Sequence, residues 1–274
     1  MAFKDLLVYA GAGGTTPICL DVASALAAGH NAHLTALHVI QPPLVPVDAS
    51  GFVAADVIQQ LEDQERERAE VARRLVTDAE RRNGRCIEHR AVDGDTITTA
   101  LLHSRYADLV IVGQDGGDDP AGYSDLAEAI VMDAGRPVLV VPQAGKFSSV
   151  GKRVLVAWKQ TAEATRAVHD ALPLLRGAEA VVVMEVNPPT ERVPHIAGVD
   201  IATHLARHDV RAEVSSTTAT EIGIGDVILS RAAELGADTI VMGAYGHSRL
   251  REFVFGGVTL HLLRHMTVPV FMSR

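Results

Sequence analysis

The sequence predicts two tandem α/β domains, each a doubly wound parallel sheet flanked by helices, and two observations carry that prediction. First, short apolar runs alternate with helical stretches in the order β-α-β-α-β-α-β-α-β over the first half of the chain. Alternation at these lengths implies a parallel sheet covered by helices on both faces, wound by right-handed crossovers. Second, the order starts again after a polar linker, and six landmarks recur in the same sequence, which is the signature of an internal duplication. The two units are expected at 1–145 and 150–274.

Asp5 to Ala10 is an apolar run of the kind buried in a parallel sheet, and it ends in Gly11-Ala12-Gly13-Gly14. Thr16 is expected to cap the first helix, with Pro17 at its first position and Gly29 at its end. His33 to Ile40 is the second strand, and Pro42-Pro43 closes it. Ala54 to Arg82 reads as one long helix whose oppositely charged residues, from Glu62 to Glu70, make a solvated face. Cys86 to Val92 is the third strand, and Gly94-Asp95 opens a helix running to about Tyr106, with Asp95 as its cap. Leu109 to Val112, a helix from Ser124 to Asp133, and Arg136 to Val141 complete the half.

Gln143 to Gly151 is a Gly/Ser-containing linker. Beyond it, Arg153 to Ala157 mirrors the first strand and Thr161 to Leu175 the first helix, while Val181 to Pro189 mirrors His38 to Pro43. Gly225-Asp226 mirrors Gly94-Asp95, with Asp226 again expected to cap. Ala237 to Gly243 mirrors Ala107 to Gly113, and Val268 to Met272 mirrors Arg136 to Val140. The second copy has only about Val199 to His208 where the first has its long charged helix.

Length and charge bound the function. A net charge of −9 on 274 residues, with no basic cluster interleaved with aromatics, argues against nucleic acid or an anionic membrane as partner. No run reaches the ~20 apolar residues of a membrane span, and no signal-peptide pattern opens the chain. A cytoplasmic protein is expected. Cys19 and Cys86 form no CxxC and read as buried, reduced thiols.

The chemistry is concentrated between Gly243 and Thr259. The stretch reads Gly243-Ala244-Tyr245-Gly246, then nine residues, then Gly256-Gly257-Val258-Thr259, with an apolar strand before it and a helix from about Gly256 to His265 after it. A glycine at a strand end lets backbone come close to a ligand. A glycine pair opening a helix leaves free N–H groups and the positive end of the helix dipole facing outward, which suits phosphate. The same glycines also serve an ordinary turn and helix entry.

On these residues the chain resembles the universal stress protein family, whose loop runs Gly, two residues, Gly, nine residues, Gly, then Ser or Thr. The resemblance covers both halves and identifies a tandem, two-domain member. It implies five parallel strands per half in the order 3-2-1-4-5, with the last strands of the two halves, about Val138 to Val141 and Val268 to Met272, paired in an internal pseudo-dimer. A homodimer of whole chains and a protein partner are compatible with it. In such sheets a ligand sits at the carboxyl ends of the strands where strand order reverses.

The resemblance further implies that ATP or a related adenine nucleotide is held by Met242, Gly243, Gly246, Gly256, Gly257, Val258 and Thr259, with Lys159 and Val186 beside them. Two positions depart from the family pattern. Gly257 stands where the family has Ser or Thr, so a hydroxyl donor to phosphate is missing. Lys159 stands where the family has an Asp that holds the nucleoside; Lys159 could meet a phosphate and Trp158 could stack on a base, or Trp158 could simply pack. The first half keeps Gly113 and Gly116 but has Leu126-Ala127 where the second glycine pair is expected, and Asp118-Asp119 in between, so it reads as a degenerate site. No dedicated Mg²⁺ carboxylate and no general base stand at the loop, so any ATP hydrolysis would be slow. The alternatives are a dimerisation, partner or small-ligand module of the same fold and, third, a slow ATPase.

Other chemistry finds little support in the sequence. His204/His208 and His261/His265 are spaced four apart on helical stretches, but no HExxH arrangement and no cysteine joins them, so neither pair alone reads as a metal site. There is no Gly-x-Ser-x-Gly elbow. Arg249 and Arg251 lie in the loop, with a solvated or a phosphate-facing role.

Overall fold

The computed structural model describes residues 2–42, 55–114, 125–188, 199–219, 223–244 and 257–274. The first half contains β1 (Asp5–Tyr9), α1 (Thr16–His30), β2 (His33–Ile40), α2 (Ala55–Asn83), β3 (Glu88–Asp93), α3 (Thr96–Ser104), β4 (Leu109–Gly113), α4 (Leu126–Asp133) and β5 (Val138–Val141). The second contains β6 (Arg153–Trp158), α5 (Ala162–Leu175), β7 (Ala180–Val186), α6 (Val199–Ala206), β8 (Ala212–Thr217), α7 (Ile224–Leu235), β9 (Thr239–Gly243), α8 (Gly257–His265) and β10 (Val270–Ser273).

The strands form one ten-stranded sheet in the order β3-β2-β1-β4-β5-β10-β9-β6-β7-β8. Each half is therefore a parallel 3-2-1-4-5 sheet. The halves meet through the antiparallel pair β5–β10, in which Val138 faces Met272, Leu139 faces Phe271 and Val140 faces Val270. This is the predicted internal pairing. Both prolines before these strands still accept through their carbonyls, Pro137 from the Val110 N–H and Pro269 from the Ile240 N–H.

The strands are apolar along their whole length because both of their faces are covered. Leu6 and Val8 belong to the core under α1, α2, α5 and α6, whereas Leu7 and Tyr9 belong to the core under α3, α4, α7 and α8. The second half repeats the division, with Val154 and Val156 on one face and Leu155 on the other. Side chains that alternate between two buried layers produce the continuous runs seen in the sequence. The edge strands β3 and β8 are more polar and more exposed, as unpaired edges require.

Several local expectations are corrected. Thr15, not Thr16, is the N-cap of α1; Thr16 lies in the first turn, and its hydroxyl donates to the Gly11 carbonyl at 2.9 Å. Asp95 does cap α3, accepting from the Thr98 N–H at 2.8 Å. Asp226 does not cap α7: the cap is Gly223, and Asp226 lies in the first turn. The mirror of Gly94-Asp95 in Gly225-Asp226 is thus displaced along the chain, since small and acidic residues suit both cap and first turn. Cys19 is buried as expected, and burial pushes its thiol up to about 12, but Cys86 is exposed. The helix predicted to reach His208 ends at Ala206.

Candidate functional site

A cavity of about 350 Å³ opens at the carboxyl ends of the second-half strands. It lies where strand order reverses, between β6 and β9. Its floor comes from Ala157 and Trp158 of β6, Met184 and Val186 of β7, and Met242 and Gly243 of β9. The first turns of three helices close its rim: Glu163 and Ala164 of α5, Ile224 of α7, and Gly257, Val258 and Thr259 of α8. Three helix N-termini therefore converge on one space, each with outward N–H groups and a positive dipole end.

The residues predicted from the sequence can now be located. Met242, Gly243, Gly257, Val258, Thr259, Lys159 and Val186 all line this cavity. Gly246 and Gly256 lie outside the described residues, as do Arg249 and Arg251 and the first-half stretch from Asp115 to Ser124. Lys159 is exposed at the rim and Trp158 is half-buried. Trp158 packs against the core beneath α5 and also lines the cavity.

Gly243 has a different reason for being glycine than the one the loop motif suggests. A Cβ there would stand 2.4 Å from the Ala164 nitrogen and 2.6 Å from the Glu163 carbonyl carbon. It is the chain's own helix that comes close. The missing side chain lets the first turn of α5 sit against the end of β9, and Thr161 caps that turn by accepting from the Ala164 N–H at 3.3 Å. Gly257 is the opposite case, exposed and with no described atom within 4 Å of where a Cβ would be.

Helix α8 is held at its middle and at its far end. At its middle, His261 Nε2 lies 2.9 Å from Asp226 Oδ1 on α7. Gly225 makes room for this contact, since a Cβ there would be 2.5 Å from the His261 ring. At its far end, Gln114 of the first half donates through Nε2 to the carbonyls of Leu263 at 2.8 Å and Arg264 at 3.0 Å, while its Oε1 accepts from the Gln143 N–H at 3.0 Å. Gln114 is buried and follows Gly113 at the end of β4.

Sequence reasoning missed Ala157, Thr161, Glu163, Asn187, Ile224 and Ile228 as lining residues. They belong to no motif. Strand register finds Ala157, opposite Met184 and Met242; the others stand near helix starts or just past a strand end and meet only in the folded chain.

Comparison with known proteins agrees with this architecture. The sequence model of the universal stress protein family matches residues 3–142 and again residues 151–274. Universal stress protein Slr1230 from Synechocystis is 26% identical over 179 residues, 61% of this chain and 58% of that protein's length, so the alignment spans less than two thirds of this relative. A universal stress protein structure from Archaeoglobus fulgidus matches with a TM-score of 0.74 at 17% identity, covering 98% of this chain and 96% of that one. A structure from Pseudomonas aeruginosa described as a putative universal stress protein matches with a TM-score of 0.55 at 16% identity, covering 99% and 93%. At such identities these structures speak to the fold.

Proposed function

Because this chain belongs to the universal stress protein family, we propose that its second half binds an adenine nucleotide, ATP or a close relative, in the cavity between β6 and β9. The observation that carries this reading is the convergence of seven predicted residues and three helix N-termini on one space of about 350 Å³. That size lies in the range of small-molecule sites, and the lining divides as a nucleotide would need. Met184, Val186, Ile224, Ile228 and Met242 make an apolar wall for a base. The N–H groups at Gly257, Val258 and Thr259, with Lys159 opposite, supply the positive side for phosphate. By spacing, the reading extends to the amides of Gly246 and Gly256. Glu163 is the carboxylate among the described lining residues, and it is where Mg²⁺ accompanying a nucleotide would be sought.

The units taken are 1–145 and 150–274, with the first half structural and the second half carrying the ligand. The role is regulatory or protective during stress, in the cytoplasm, with at most slow hydrolysis. The test is calorimetric titration of ligand-stripped protein with ATP, ADP and AMP. Saturable binding of one nucleotide per chain is expected; absence of heat at millimolar nucleotide overturns the reading. Lys159, in place of the family's Asp, favours a second reading, in which the same cavity takes a different small anion and the fold serves partner binding.

A further inference from the structure

The sequence pairs His204 with His208, and the fold adds a third imidazole to them. His169 on α5 faces His204 at the end of α6 and His208 in the turn beyond it. The ring centroids are 5.0 Å apart for His169 and His204, 6.0 Å for His169 and His208, and 4.7 Å for His204 and His208. The planes cross at 53°, 76° and 57°, so no ring lies flat on another. The turn that carries His208 is fixed from α5, since Arg176 Nε donates to the His208 carbonyl at 3.0 Å. Within this group His204 Nε2 is buried and has no hydrogen-bond partner among the described residues. A buried polar atom without a partner calls for one.

Three imidazoles around a tetrahedral Zn²⁺ have metal–nitrogen distances of roughly 2.0–2.1 Å. Adding the distance from nitrogen to ring centre, neighbouring centroids then lie roughly 5 Å apart at tetrahedral angles. The observed separations bracket that value. In the described rotamers the nitrogens do not converge, and among the described residues no group of three or more His, Cys, Asp or Glu is posed to hold a metal. Convergence asks for rotation about the Cβ–Cγ bonds. The axis of that rotation passes close to each ring centre, so the nitrogens swing while the centroid separations are kept, and these torsions are soft.

We propose that His169, His204 and His208 form a binding site for a divalent cation of the Zn²⁺ class, three-coordinate from the protein and open to water in the fourth position. Imidazole ligands suit this class over Mg²⁺ or Ca²⁺. The bound ion fastens α6 to α5. The clamp lies on the α5/α6 face of the sheet, whereas Met184 and Val186 of the cavity pack on the opposite face, so it does not depend on the proposed nucleotide site. Burial first, and then the neighbouring His169, His208 and Arg207, lower the pKa of His204, which favours its neutral form. Arg207 also opposes a cation, and Arg166 and Asp170 neighbour the cluster on α5. Because ligation takes the neutral form of each ring, binding weakens as pH falls through the imidazole range near 6.5.

The test is titration of the chelator-stripped full chain with ZnCl₂, together with visible absorption on adding CoCl₂. One ion per chain is expected, with a tetrahedral Co²⁺ spectrum. His204→Gln and His169→Gln should each weaken Zn²⁺ at least tenfold and abolish that spectrum, while His265→Gln, in the other spaced pair, leaves both unchanged. His169 is exposed, so its variant keeps the test decisive if His204→Gln fails to fold. Zn²⁺ affinity within threefold of wild type in a folded His169→Gln protein, or a stripped wild type that takes up no Zn²⁺, overturns the proposal.

Discussion

Tyr9 and Ala157 stand at the same place in the two halves. Val8 pairs with Ile111, two residues before Gly113, and Val156 pairs with Val241, two residues before Gly243. The next residue along is Tyr9 in one half and Ala157 in the other. Tyr9 is buried in the core beneath α3 and α4, whereas Ala157 forms part of the cavity wall. The same backbone position thus carries a large side chain packed into the core in one half and a small one lining a cavity in the other. Duplication left the scaffold alike and let the strand ends diverge.

The sharpest way to break this contrast is to make the second half resemble the first. Ala157→Tyr should fill the cavity and weaken nucleotide binding by roughly a hundredfold or more, about 3 kcal/mol, while the protein still folds, since the first half carries a tyrosine there. Calorimetry checks the affinity and circular dichroism the fold; retained affinity would show that the ligand sits elsewhere.

The matched glycines give a comparison of stability. At Gly243 a Cβ meets the α5 backbone at 2.4 Å, and at Gly113 it meets Thr15, with the hydroxyl oxygen at 2.5 Å and the Cβ at 2.8 Å. The Thr15 hydroxyl can rotate away but its Cβ cannot, so α1 must give a little at Gly113 where α5 must give more at Gly243. Gly243→Ala should cost about 3 kcal/mol and Gly113→Ala about 2 kcal/mol, read from urea denaturation. Equal costs would mean that α5 shifts as easily as α1.

Gly257→Ser sharpens the contrast in the other direction. Nothing described crowds the position, and the added hydroxyl can donate to phosphate. One hydrogen bond to a charged group is worth about 1.5 kcal/mol or more, so affinity for ATP should rise by roughly tenfold. An unchanged dissociation constant would remove phosphate from the start of α8.

The smallest effect concerns the caps. Helix α3 is capped by the Asp95 carboxylate, and α7 begins at Gly223 with no side-chain cap. Asp95→Ala should cost about 1 kcal/mol at neutral pH, or less given its exposure. Hydrogen bonds from Thr98 hold the Asp95 carboxyl below its ordinary value. Its contribution is therefore present above the ordinary carboxylate range near 3.9 and is lost as pH falls through the lowered folded value. Wild type and variant should converge in acid melts, and a gap that persists there would assign the cost to something other than the carboxylate.

Much of this was legible in the sequence. Strands buried on both faces leave unbroken apolar runs, and a chain that repeats itself reports its own domain plan; strand order within each half and the pairing of Val138–Val141 with the C-terminal strand followed from the family resemblance. Met242, Gly243, Gly257, Val258, Thr259, Lys159 and Val186 came from a loop pattern and from strand ends, and they do share one cavity. What was not legible depends on register or on distance. Asp226 was misplaced by a few residues because a cap and a first turn attract the same residue types. The contrast of Tyr9 with Ala157 needs paired strands to be seen, and Gln114 reaches partners about 150 positions away, where no local rule applies.

Gln114 has a consequence for divisibility. The residue that follows Gly113 in the first half closes the far end of the helix whose near end belongs to the proposed nucleotide site. In the second half that place is taken by Ala244, which has no side-chain group able to return the favour. Cutting the chain in the linker would therefore not yield two equal machines. The C-terminal piece would lose the hydrogen bonds at the end of α8 and expose the free edge of β10, while the N-terminal piece would keep a glutamine whose Nε2 has lost both of its acceptors on α8. The two copies share one architecture but are no longer exchangeable.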